Sequence, residues 1–168
     1  IWHFNLLGPN NLKAVEVLSK MKVPTVGTFR GSDIQCYPKV NYGQRRDTYY
    51  NNLLKKNIHY FDSLTAISDS IVQEYLSLGI EKSKIKKIPN FIDLSRYRLK
   101  SINKNVIREK YGIPSKDKII LTVGRNHKKK GYSLIPDIIL TSKNNGESFK
   151  WVIIGKDCED IKEKAQIL

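Results

Sequence analysis

Short apolar runs recur along this chain, each ending in a small or polar loop and each followed by a helical period. That alternation leaves few folds open. The clearest instance is residues 119–131, Ile-Ile-Leu-Thr-Val-Gly-Arg-Asn-His-Lys-Lys-Lys-Gly. Its apolar and β-branched residues, closing at Val123, suit a buried parallel strand. Gly124 breaks the run and permits a tight turn. Arg125 follows at the strand's carboxyl end, then Lys128, Lys129 and Lys130, and Gly131 closes the loop. Ser133 is placed to cap a helix carrying Leu134, Ile135, Ile138 and Ile139. A strand thereby brings a cationic loop to the sheet end where open α/β folds bind ligands. Arginine grips two oxygens in a fixed fork and lysine adds a mobile point charge, so the loop can clamp a diphosphate. A solvated lysine-rich turn is the other reading. No Gly-Lys-Ser/Thr closes the loop, and it is not Gly-x-Gly-x-x-Gly.

Residues 1–4, 24–29, 63–67, 85–88 and 151–154 read as further short strands, and 11–20 and 69–78 as helices. Residues 42–56 are polar and aromatic, a helix bordered by loop. Residues 94–117, rich in Lys, Arg, Asn and Ser, hold one short helical pattern and look like an interdomain connection. The expected architecture is α/β, with parallel, doubly wound sheets in two similar halves. The chain opens inside an apolar run and closes inside an apparent helix over 158–168, so an internal fragment of a longer protein is expected.

Four loops fall at strand ends. Arg30-Gly31-Ser32-Asp33 is either a turn with an Arg–Asp pair or an anion contact, with Gly31 letting a ligand near the backbone. Ser68 reads as a helix N-cap, whose amides also suit an anion. Asn90 to Asp93 reads as an Asx turn or a ligand loop. The fourth is the cationic loop. His3, near a strand end, is either a base or a structural imidazole, and His127 is expected to face solvent. Tyr37, Tyr42, Tyr49 and Tyr50 could stack on rings, although a half-buried helix face suits them better.

Thirty Lys+Arg against sixteen Asp+Glu give a formal charge of +14, which attracts nucleic acid, anionic lipid or phosphorylated ligands. Cys36 and Cys158 stand far apart and fit a reducing, cytoplasmic setting. His3, His59 and His127 have no metal-ligand spacing, so no metal site is expected.

In order and spacing, these pieces resemble the family 4 (group 1) retaining glycosyltransferases of the GT-B fold. The resemblance rests on Val23-Pro24-Thr25-Val26-Gly27-Thr28-Phe29-Arg30-Gly31-Ser32-Asp33, Leu64-Thr65-Ala66-Ile67-Ser68 and Ile88-Pro89-Asn90-Phe91-Ile92-Asp93. It continues through Val123-Gly124-Arg125, Lys130-Gly131 and Val152-Ile153-Ile154-Gly155. It implies two Rossmann-like parallel-sheet domains, both truncated here. Residues 1–94 would be the later part of the acceptor-side domain, 95–117 the connection, and 118–168 the start of the nucleotide-sugar domain. It implies Arg125 and Lys130 as the catalytic diphosphate clamp, with Gly124 and Gly155 also against the donor. His3, Arg30, Gly31, Asp33, Ser68, Asn90 and Asp93 would line the acceptor side or cleft. The implied substrate is a nucleotide-diphosphate sugar, without further cofactor or metal. The implied acceptor is a glycan or lipid-linked intermediate, and peripheral contact with an anionic membrane is compatible.

Two positions depart from the family pattern. Arg30 stands where many relatives carry histidine, and arginine stays protonated, so it cannot serve as a neutral base. Gly155-Lys156-Asp157 lacks the family's second glycine. The family's paired glutamates would lie beyond Leu168, so the chain is expected to be inactive alone. A basic nucleic-acid-binding protein is the alternative of a different class, but no RNP, zinc or helix-turn-helix signature supports it. A GT-B sugar-nucleotide epimerase is a further alternative. The Asn90–Asp93 motif and the Gly-Arg to Lys-Gly loop favour the transferase.

Overall fold

The computed structural model describes residues 1–97 and 103–161. They divide into two compact units, Ile1–Ile92 and Asp93–Leu168. Most of the helix expected over 158–168 lies outside the described residues.

The first unit runs β1 (Trp2–Asn5), α1 (Pro9–Lys20), β2 (Thr25–Phe29), α2 (Thr48–Asn57), β3 (Ser63–Ala66), α3 (Asp69–Ser77) and β4 (Ile85–Lys87). Local chemistry sets the boundaries. Pro9 starts α1, where its missing N–H is no loss. The Asp47 carboxylate caps α2 by accepting from the Tyr50 amide at 2.7 Å. Gly79 follows α3 at φ +79°. The strands pair in parallel in the order β1-β2-β3-β4, with Asn5 opposite Thr28 and Thr28 opposite Thr65.

Strand periodicity sorts the side chains onto two faces. Phe4, Phe29, Leu64 and Ala66 join Leu12 and Val15 of α1, Tyr50 and Leu54 of α2, and Ile71 and Tyr75 of α3 in one continuous core. All three helices therefore lie on the same face. The other face carries His3, Asn5, Thr28, Thr65 and Lys86, and forms no apolar core among the described residues of this unit. Among the described residues every helix of this unit lies on one side, the arrangement that sequential strand order gives one half of a doubly wound sheet.

The second unit contains α4 (Lys104–Lys110), β5 (Ile119–Val123), α5 (Ile135–Asn144) and β6 (Lys150–Ile154). β5 and β6 pair in parallel, with Ile120 opposite Trp151 and Thr122 opposite Ile153. Tyr132, Ile135 and Ile161 are buried beneath Ile139, Trp151 and Ile153. The opposite face lines an apolar groove of about 650 Å³ with Ile107, Tyr111, Ile119, Leu121 and Val152. The expectation that β5 is buried therefore fails within this chain: Leu121 is 58% and Val123 70% exposed. A two-stranded sheet leaves most of its surface open. Ser133 does not cap α5. It sits inside a 3-10 turn, Tyr132–Leu134, and the helix begins without a side-chain cap.

Candidate functional site

In the second unit, the carboxyl ends of β5 and β6 are locked together by backbone. The Gly124 amide donates to the Ile154 carbonyl at 2.8 Å, and the Asn126 amide to the Lys156 carbonyl at 2.9 Å. A β-carbon on Gly155 would sit 1.7 Å from the Gly124 oxygen, so only glycine allows this crossing. The buried Tyr132 hydroxyl donates to the same oxygen at 2.6 Å. Asn126 Nδ2 donates to Asp160 Oδ1 at 3.0 Å. The chain then enters a 3-10 turn, Lys128–Lys130, where His127 Nδ1 accepts from the Lys129 amide at 3.1 Å. His127 is half-buried, not turned wholly to solvent.

On this fixed backbone Arg125 and Lys130 are exposed. No described residue pairs with either charged side chain. The exposed carboxylates Asp157, Glu159 and Asp160 follow β6, and Asp160 is taken up by Asn126 and not by either cation. Asp157, where the family's second glycine would stand, takes the left-handed conformation at φ +58°.

In the first unit, the sheet's carboxyl end opens into a pocket of about 270 Å³ lined by residues that include His3, Thr28, Arg30, Thr65 and Asn90. His3 Nε2 lies 2.7 Å from Thr28 Oγ1, which also hydrogen-bonds Thr65 Oγ1. Arg30 Nε donates to Asn5 Oδ1 at 2.9 Å, and its Nη1 to Asn90 Oδ1.

Asp33 does not face this pocket. It is fully buried, and its carboxylate accepts from the Leu7, Arg30 and Gly31 amides at 2.8–3.2 Å. The expected Arg–Asp side-chain pair is absent for the same reason, since Asp33 holds the Arg30 backbone and leaves the guanidinium alone. Gly31 (φ +136°) suits the left-handed turn, and a β-carbon there would sit 3.1 Å from the Tyr42 hydroxyl. Ser68 holds the N-cap position of α3, but its hydroxyl bonds Ser70 Oγ at 2.9 Å instead of capping. Asp93 belongs to the second unit. Its carboxylate accepts from Ser95 Oγ at 2.6 Å and the Ser95 amide at 3.0 Å, which holds its carboxyl below the ordinary value. Of the four tyrosines, only Tyr50 is buried, while Tyr37 and Tyr42 pair across a turn.

Sequence reasoning missed Asn5, Thr28, Thr65 and Tyr132. Asn5 and Thr65 had a signal, since in β1 and β3 polar residues alternate with apolar ones at a period of two, whereas β2, Thr-Val-Gly-Thr-Phe, gives none for Thr28. Tyr132 had none, because its role depends on a carbonyl eight residues back.

The model of Glycosyltransferase Family 4 matches residues 1–96, more than half of the chain. This chain belongs to glycosyltransferase family 4. The family 4 chain is 26% identical over 129 residues to a Bacillus subtilis (strain 168) protein named as a candidate teichuronic acid biosynthesis glycosyltransferase. That match covers 77% of this chain and 31% of the relative. It is 28% identical over 109 residues to the N-acetyl-alpha-D-glucosaminyl L-malate synthase of Bacillus anthracis, covering 65% and 26% of the two chains. The chain thus spans under a third of the length of these curated relatives. Anabaena HepE, solved in complex with UDP-glucose, superposes with a TM-score of 0.66 at 16% identity, over 98% of this chain and 43% of its own. At that identity the likeness carries the fold: parallel-sheet α/β units of the GT-B type. The family favours a transferase over the nucleic-acid-binding reading.

Proposed function

We propose that this chain is part of a retaining transferase that moves a hexosyl group from a nucleotide-diphosphate sugar to a glycan or lipid-linked acceptor. On this reading residues 1–94 serve the acceptor side, 95–117 connect, and 118–168 begin the donor side. The observation that carries it is the Arg125–Lys130 loop. In a family 4 chain, two cations without described partners stand on a backbone fixed at Gly124 and Gly155.

The chemistry follows from where charge develops. As the sugar–phosphate bond breaks, negative charge grows on the departing diphosphate. Cations already held at that position stabilise the transition state without reorganising. They supply the neutralisation that a divalent ion supplies elsewhere, so the reading needs neither metal nor cofactor. The UDP-glucose complex of HepE supports a nucleotide-sugar donor, and the teichuronic acid relative supports a glycan acceptor. Among the described residues no helix is long and apolar enough to cross a membrane. A surface with net charge +14 suits a cytoplasmic protein resting against anionic lipid. Nucleic acid is not a partner on this reading.

Calorimetric titration of the full-length protein with UDP and GDP tests the clamp. One nucleotide binds, and Arg125→Ala and Lys130→Ala each weaken it by roughly tenfold or more. Turnover in either variant falls by roughly 10²–10³. Nucleotide binding left intact in both variants returns the loop to a solvated turn.

A further inference from the structure

We propose that the first unit's pocket binds an oxyanion, a carboxylate or phosphate carried by the acceptor, with Arg30 as its charged anchor. The acceptor part of this statement rests on the transferase reading above.

The argument starts from what holds the guanidinium. Its Nε and Nη1 donate to the side-chain oxygens of Asn5 and Asn90. Both partners are neutral amides. They fix the plane of the group and leave its charge whole. A guanidinium has five N–H donors, so donors remain beyond those two bonds. The nearest acid in sequence, Asp33, is turned inward onto the Leu7, Arg30 and Gly31 amides. No ion pair to Arg30 forms among the described residues.

Arg45 in the same unit shows the contrasting case. It is mostly buried, 2.8 Å from a Glu74 oxygen, and its Nη1 also donates to the Ile34 carbonyl at 3.0 Å. That arginine braces the fold and is neutralised by it. Arg30 is equally well oriented but is not neutralised, and it lines a pocket of about 270 Å³. The pocket's other polar groups, His3, Thr28 and Thr65, form a hydrogen-bonded row along one sheet face. Hydroxyl and imidazole groups can complete the coordination of an oxyanion that Arg30 grips. A neutral sugar hydroxyl needs no fixed cation, and a planar fork best matches carboxylate or phosphate.

The test is nuclear magnetic resonance titration of the full-length protein, labelled at arginine and histidine, with sodium glucuronate and, separately, inorganic phosphate. The Arg30 Hε and His3 ring signals report on the pocket. At least one probe shifts both signals in a saturable way. Arg30→Gln weakens that probe by roughly tenfold or more, and Arg30→Lys retains part of the affinity. Saturation by glucuronate alone assigns a carboxylate acceptor, and by phosphate alone a phosphorylated one. No saturable shift with either probe overturns the proposal. So does binding that survives Arg30→Gln unchanged in a variant whose circular dichroism matches the parent chain. The experiment uses no nucleotide and leaves Arg125 and Lys130 untouched. Its failure leaves the clamp standing, and failure of the UDP and GDP titration leaves an anion site standing.

Discussion

At the scale of single residues, the two candidate loops show how a polar side chain divides between holding the fold and facing a ligand. Asp33 and Arg30 are three positions apart and take opposite parts. The carboxylate gathers backbone amides inside, while the guanidinium is held open by two amide side chains. The motif Arg-Gly-Ser-Asp reads the same in either orientation. What decides it is the amide of Leu7, 26 residues upstream in the chain, which no local pattern contains. The cationic loop was more legible, because glycine, arginine and lysine at a strand end limit what the backbone and charges can do. Asp157 carries a further consequence. Its φ of +58° is tolerated by aspartate but not preferred by any residue with a β-carbon. Asp157→Gly keeps stability or raises it by up to ~1 kcal/mol, whereas Asp157→Val lowers it by roughly 1–2 kcal/mol. Urea unfolding midpoints of the two variants check this.

At the scale of elements, two tyrosine hydroxyls tie helices to the sheet end of the first unit. The Tyr50 hydroxyl of α2 lies 2.8 Å from the Leu7 carbonyl and 2.6 Å from that of Asp33. Tyr75 of α3 donates to the Thr65 carbonyl at 2.8 Å. Burial pushes both phenols well above their ordinary value. The folded chain therefore keeps protons that the unfolded chain releases near pH ~10. This contribution to stability is complete below about pH 10 and is lost progressively above it. The melting temperature of the first unit falls steeply above about pH 10. A Tyr50→Phe, Tyr75→Phe double variant starts about 1–3 kcal/mol less stable but shows a shallower alkaline fall. Circular dichroism melts across the alkaline range decide it, and equal slopes would clear the phenols. Element positions were legible because apolar runs and helical periods are local. The cover on β5 was not legible, because an apolar run reads alike whether one face or both find a partner. Ser133 shows the same limit, since a 3-10 turn took the place of the cap.

At the scale of the whole molecule, the two units differ in how much apolar surface they enclose. Among the described residues the first core holds fifteen buried apolar side chains and the second three. Stability follows enclosed area, so the first unit costs more to open than the second. Hydrogen exchange of the 168-residue chain is therefore slower in β2 and β3 than in β5 and β6 by ~10²-fold or more. Matched rates across both sheets would contradict this. The groove beside β5 and β6 bears on how the 168-residue chain behaves when it is expressed by itself. An open strip of isoleucine, leucine, valine and tyrosine is the kind of surface that chaperones hold and proteases survey. Expressed by itself, the 168-residue chain carries that strip bare, so this face is where such a piece associates.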